Sequence, residues 1–208
     1  MTLRRRPRLV LAIYFQTKGF GFVLMDRWTS PVDWGAPEVR GPDRATRCLR
    51  HVDALLGLHA PDVLVLQDTS KTGTRRAPRI RALNRRTLQL AKRHGVPVHT
   101  YSRAQVLDYF EKFGAQTKQS IAETIAKHTP ALSLYLPPAR KPWKSEDPRI
   151  GIFEAAALVW TYLRSSGGVL SQYVARAVDS CSAASSVLSR VAWLHLSRRG
   201  HLTTSFSP

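Results

Sequence analysis

The stretch Leu9-Val-Leu-Ala-Ile-Tyr-Phe-Gln-Thr-Lys-Gly-Phe-Gly-Phe-Val-Leu-Met25 decides the fold class. Leu9 to Phe15 and Phe20 to Met25 are continuous runs of β-favouring apolar residues, and Gln16-Thr17-Lys18-Gly19 between them has the composition of a turn. Together they predict an antiparallel hairpin.

On the C-terminal side, Val32 to Val39 predicts a third, weaker strand, and its Pro31, Gly35 and Pro37 place it at a sheet edge. Asp43 is suited to cap a helix through about His59, in which Ala45, Cys48, Leu49, Val52, Leu55 and Leu56 recur at helical spacing. Pro61-Asp62 then introduces Val63-Leu-Val-Leu66, an apolar run that suits a central parallel strand covered on both faces. A Lys/Arg-containing segment, Thr69 to Pro78, precedes a helix from about Arg79 to His94. Gly95 ends it, and Val96 to Thr100 reads as the next parallel strand. Strand, helix, strand implies a right-handed crossover. Helices near Ser102–Phe113 and Thr117–His128 follow, divided at Gly114, and Pro137-Pro138 with Lys141-Pro142-Trp143 holds the chain extended before a final apolar helix from about Pro148 to Leu163. The expected domain is residues 1–163, with 164–208 as a basic, Ser/Ala-rich tail.

The 208 residues carry 32 Lys+Arg against 14 Asp+Glu, a formal charge of +18. Such an excess draws polyanions through long-range attraction and counterion release, which makes nucleic acid the leading partner. Cys48 and Cys181 are far apart and outside any CxxC or Cys/His cluster, so neither a disulfide framework nor a zinc site is indicated. Lacking a long apolar span or a signal-peptide pattern, the chain reads as a cytoplasmic protein without a membrane segment.

Three local motifs fit this element order. Tyr101-Ser-Arg-Ala-Gln105-Val106 is followed by Gly114 and Lys118; Pro61-Asp62 leads an apolar strand ending at Gln67; and Leu11-Ala-Ile-Tyr14 is followed by Gly19-Phe-Gly21. In these features the stretch from about residue 8 to 163 resembles the RuvC Holliday-junction resolvases. The resemblance implies a ribonuclease H-like α/β fold: a mixed sheet, three antiparallel strands then parallel ones, flanked by helices. It also implies DNA contacts around Tyr101 to Lys118, with Lys118 near the scissile phosphate. RuvC resolvases are dimers, so a homodimer is a further implication.

The resemblance also exposes a defect. Two-metal phosphodiester hydrolysis needs carboxylates that converge on hard cations, and RuvC enzymes use four acids for this. Tyr14 stands where the family has an Asp, and Gln67 where it has a Glu. On the last helix, where the family has Asp-x-x-Asp, Glu154-Ala-Ala-Ala-Leu158 offers one acid. Glu154 is therefore the first choice for a surviving Mg²⁺ ligand, or else a solvated or Arg-paired helix residue. Asp68, beside Gln67, is a substitute if the strand ends or bulges there, or else a turn residue after the strand. Asp147 of the Glu146-Asp147 pair is a further acid, or a cap for the helix opened by Pro148. The catalytic candidates are Glu154, Asp68 and Lys118; the metal candidates are Glu154, Asp68 and Asp147, with Mg²⁺ implied only if the protein is active.

Arg75, Arg76 and Arg79 suit a phosphate-tracking patch or a merely solvated face, and Lys118, Lys141 and Lys144 are further nucleic-acid-binding candidates. Trp143, flanked by Lys141 and Lys144, suits base stacking or anchoring of its proline-rich loop. Tyr109, Phe110 and Phe113 suit core packing or a wedge at a junction. Three functions remain open at this level. One is a nucleic-acid-binding protein for structured or branched DNA with incomplete carboxylates. The others are an active Mg²⁺-dependent structure-specific endonuclease using rearranged acids, and a non-catalytic interaction or assembly factor.

Overall fold

The structure, a computed structural model, describes residues 9–27, 30–69, 78–141, 143 and 145–165. The hairpin is formed by β1 (Val10–Phe15) and β2 (Phe20–Arg27), followed by β3 (Ser30–Gly35), α1 (Arg44–His59), β4 (Val63–Gln67), α2 (Pro78–Arg93) and β5 (Val98–Tyr101). Helices α3 (Arg103–Glu111), α4 (Lys118–His128), the short α5 (Pro130–Ser133) and α6 (Ile150–Ser165) complete the chain described. The sheet order is β3-β2-β1-β4-β5. β1, β2 and β3 pair antiparallel, while β4 pairs in parallel with β1 and β5. The mixed sheet is thus as the sequence implies.

All six residues of β1 are buried, because the sheet is covered on both faces. Val10, Ala12 and Tyr14 join Val23, Met25, Val63 and Val65 in a core closed by α3, α4 and α6. Leu11, Ile13 and Phe15 face the opposite core, where Leu64 and Leu66 meet Cys48, Val52 and Leu56 of α1 and Leu83 and Leu90 of α2. Alternation along each strand produces this division. β3 ends the sheet, and its pairing slips near Pro31, as expected for a strand interrupted by proline.

α6 is the helix buried on nearly every side, from Ile150 to Tyr162. It sits close to the hairpin because two glycines allow it: a Cβ on Gly21 would lie 2.1 Å from the carbonyl carbon of Gly151. Tyr109 and Phe110 are buried, and Phe110 stacks on Trp160 of α6 with centroids 5.8 Å apart. These aromatics pack the core and do not form an exposed wedge.

Local capping is more specific than the apolar pattern foretells. Ser102 and Gln105 form a reciprocal capping box at α3, and Thr117 with Ser120 does so at α4. Gln105, a motif residue, therefore has a local structural task. Asp43 occupies the position before α1, but its side chain makes no capping bond. Gly95 and Gly114 adopt φ of +69°, the left-handed conformation in which glycine closes helices at little cost. The final helix begins at Ile150 and runs to Ser165, two residues past the expected Leu163. Beyond this point the expected tail lies outside the described residues.

Candidate functional site

The carboxyl ends of β1 and β4 lie side by side. Ile13 pairs with Leu66, which brings the next residues, Tyr14 and Gln67, to neighbouring positions. Tyr14 is buried, with α4 and α6 packed on its side of the sheet. The two positions that the resemblance gives to metal ligands therefore adjoin, and they hold a phenol and an amide.

Lys118, the first residue of α4, reaches into this place. Its Nζ lies 5.7 Å from the centre of the Tyr14 ring and 2.7 Å from Glu146 Oε1. Burial disfavours the ammonium charge. Tyr14 once ionised, the hydrogen bond to Glu146 and the carboxylates of Glu154 and Glu146 outweigh that penalty, so the Lys118 pKa stands above the ordinary lysine value. Lys118 is thus a firm cation at neutral pH.

Glu154 projects from α6 into the same region, and its side chain is only 5% exposed. Arg103, at the start of α3, holds it: one guanidinium nitrogen, Nη1, donates to Oε1 at 3.1 Å and to Oε2 at 3.0 Å. A buried carboxylate needs such a partner. Asp147 has a different partner: it accepts from Arg149 Nε, Nη2 and the Arg149 backbone N–H, at 3.1, 2.8 and 2.9 Å. The Arg149 side chain hydrogen bond, against some burial, holds its carboxyl below the usual carboxylate range. Asp68 follows the end of β4, and its N–H donates to the Tyr101 carbonyl at 2.8 Å. β4 itself ends at Gln67, one residue before Asp68. At the next residue, Thr69 Oγ1 accepts from Asn84 Nδ2 of α2 at 3.1 Å, and the same amide nitrogen donates to the Gln67 carbonyl at 3.0 Å.

These contacts do not suit a Mg²⁺ pair. Among the described residues no three His, Cys, Asp or Glu side chains gather where a metal ion could be held. Tyr14 and Gln67 bring no carboxylate, and Glu154 already serves a guanidinium. What the site offers is two cations, Lys118 and Arg103, each matched to one glutamate.

Other basic candidates lie elsewhere. Arg79 Nη2 donates to the Thr17 carbonyl at 3.4 Å, on the α1/α2 side of the sheet. Trp143 is 77% exposed, so it does not anchor its loop in the core, and Lys141 Nζ lies 5.8 Å from its ring centre. Arg75, Arg76 and Lys144 lie outside the described residues. The sequence pattern did not single out Arg103, Asn84 or the part played by Glu146. For Asn84 a signal exists: a polar residue inside the buried stripe of Ile80, Leu83, Thr87 and Leu90. For Arg103 none does, since its partner is 51 residues away.

Sheet order, strand directions and the placement of helices on both faces define a ribonuclease H-like fold of the RuvC type. Three solved structures are similar in this sense. RuvC of Thermus thermophilus in complex with a Holliday junction substrate superposes with a TM-score of 0.55 at 19% identity, covering 76% of this chain and 95% of that one. A further Thermus thermophilus RuvC structure gives 0.53 at 19% identity, covering 76% and 96%. The yeast mitochondrial Holliday junction resolvase gives 0.52 at 14% identity, covering 74% and 77%. No protein-family model matches the chain, and no curated protein matches it.

Proposed function

We propose that this chain is a nucleic-acid-binding protein of the RuvC fold that recognises structured or branched DNA and does not cut it by the two-metal route. The supporting observation is the pairing of Glu154, the one acid left at a ligand position, with Arg103. That pair and Lys118–Glu146 replace a carboxylate cluster with compensated cations at the carboxyl ends of β1 and β4, the sheet edge where open α/β folds bind ligands. A phosphate approaching this edge meets Lys118 and Arg103, and the overall charge of +18 draws the polyanion in. Exposed Trp143 beside Lys141 suits stacking on an unpaired base, and by their sequence Arg75, Arg76, Arg79 and Lys144 extend the phosphate contacts. Cys48, buried without a disulfide, is consistent with a reducing cytoplasm. A homodimer would match the symmetry of a four-way junction.

The test is incubation with a four-way junction, duplex and single strands, with and without Mg²⁺, using the parent chain, Lys118→Ala and Glu154→Ala. Salt-sensitive binding that favours the junction, weakened by Lys118→Ala and without nicking, is the expected result. Mg²⁺-dependent nicking abolished by Glu154→Ala would replace this proposal with an active endonuclease using Glu154, Asp68 and Asp147. Absence of salt-sensitive binding to every substrate would replace it with an interaction or assembly factor.

A further inference from the structure

A second cationic centre lies at the turn between β1 and β2, on the α1/α2 side of the sheet. Gly19 in that turn comes so near the segment after β3 that an added Cβ would lie 2.1 Å from the Pro37 carbonyl oxygen. Gly19 bridges to Glu38, and the Val39 N–H donates to the Lys18 carbonyl at 2.8 Å. These contacts fix the backbone of Lys18 beside that of Glu38, Val39 and Arg40. From the other side, Arg44 Nη1 of α1 and Arg79 Nη2 of α2 both donate to the Thr17 carbonyl, at 3.2 and 3.4 Å. Arg47 Nη1 in turn holds the Arg40 carbonyl at 3.0 Å. Lys18, Glu38, Val39, Arg40 and Arg44 line a depression of about 280 Å³.

Charge in this depression is unbalanced. Glu38 pairs with Arg40 at 3.2 Å, but the Arg40 side chain is 88% exposed, and a pair so open to water contributes little and separates readily. Asp43 makes no capping bond and the first turn of α1 holds no acid, so the amide end of this 16-residue helix adds to the positive side. Arg44 Nε is buried without a hydrogen-bond partner. Two guanidinium groups that converge on one neutral carbonyl repel each other, and an anion placed between them and Lys18 would relieve that repulsion while accepting charge-assisted hydrogen bonds.

We infer that this depression holds a backbone phosphate of nucleic acid through Lys18, Arg40 and Arg44, as a contact point separate from Lys118. The inference rests on the proposed function, and it extends the nucleic-acid path from one face of the sheet, around its carboxyl-terminal edge, to the other. The contact is to phosphate and not to base edges, so it carries affinity without sequence preference.

The test measures binding of the full chain to a short plain duplex over a range of salt concentrations. Each phosphate contact contributes about 0.9 to the slope of log K against log salt, so K18A/R40A/R44Q lowers that slope by about 2 to 3 and weakens binding at low salt about tenfold or more. K18A/R40A, which leaves the Arg44 contact with Thr17 intact, lowers it by about 1 to 2. Thermal melts of both variants check that the fold persists. Parent-like slope and affinity in K18A/R40A overturn the inference and leave the proposed function standing, with an acidic protein segment as the alternative occupant. Lack of salt-sensitive binding by the parent chain overturns both.

Discussion

Removing either member of the Arg103–Glu154 pair should destabilise the fold unequally, and the inequality follows from exposure. The Glu154 side chain is 5% exposed and that of Arg103 is 31% exposed. Arg103→Met strands a carboxylate inside the protein; breaking a fully buried pair costs about 3–5 kcal/mol, and the water that reaches Arg103 places this case near the lower end, about 3 kcal/mol. Glu154→Met strands a guanidinium on a long, partly wet side chain that can turn outward, at a cost of about 1 kcal/mol. The double variant removes both charges and substitutes apolar volume, so it too should cost only about 1 kcal/mol. The coupling energy is then about 3 kcal/mol, at the upper end for neighbouring residues. Urea unfolding of the four proteins measures it. In a thermal melt Arg103→Met should unfold about 6–12 °C below the parent, since each kcal/mol shifts a domain of this size by about 2–4 °C. Millimolar Mg²⁺ should leave the parent midpoint unchanged. Additive single costs, or a Mg²⁺-induced rise in the parent that Glu154→Met abolishes, would refute the assignment of Glu154 to Arg103.

Three other outcomes are expected. Gly21→Ala drives a Cβ to 2.1 Å from the Gly151 backbone and should cost about 3 kcal/mol or more, whereas the nearest atoms to a Cβ on Gly151 belong to the flexible Gln16 side chain, at 2.8 Å, so Gly151→Ala should cost less; urea midpoints rank the two. Because the folded Lys118 pKa stands above 10.5, its ammonium stabilises the fold at all lower pH, and that contribution is lost as pH rises through the folded value; Lys118→Met should flatten this alkaline limb of a stability–pH curve. Asn84→Ala removes the donor shared by Gln67 and Thr69 and should cost about 1–3 kcal/mol, with faster hydrogen exchange at the end of β4 than elsewhere in the sheet.

Element order was legible because each signal was local: apolar runs for β1, β2 and β4, a helical stripe for α1, and glycines for the ends of α2 and α3. The exceptions are also physical. β5 begins at Val98, two residues after the apolar signal at Val96, because Pro97 supplies no N–H to a sheet ladder. The four-residue α5 is too short to show periodicity. For the site, Tyr14, Gln67, Lys118 and Glu154 could be named from short motifs, and Tyr14, Lys118 and Glu154 are gathered where β1 meets α4 and α6. What those residues do to one another was not legible. Arg103 pairs with Glu154 across 51 positions and Lys118 with Glu146 across 28, distances at which a single sequence carries no pairing signal.

These pairings also settle the charge balance of a site whose strand ends carry no acid at Tyr14 and Gln67. With a phenol at Tyr14 and an amide at Gln67, Glu154 without a cationic partner would be an uncompensated buried charge, a state that costs several kcal/mol. Arg103 occupies the place from which that charge can be neutralised, at the first turn of a helix whose capping box fixes its start. Lys118 is matched in the same way by Glu146, which lies outside the metal-ligand motifs. Both glutamates have counter-ions on separate elements: Arg103 on α3 pairs with Glu154, and Lys118 on α4 pairs with Glu146 in the segment before α6. The arrangement is internally complete without a metal, and its cations remain partly exposed toward the sheet edge, with Arg103 at 31% and Lys118 at 38%. Such geometry suits phosphate better than Mg²⁺, because phosphate can compete for a guanidinium or ammonium at the surface, while Mg²⁺ would have to displace one from a buried carboxylate.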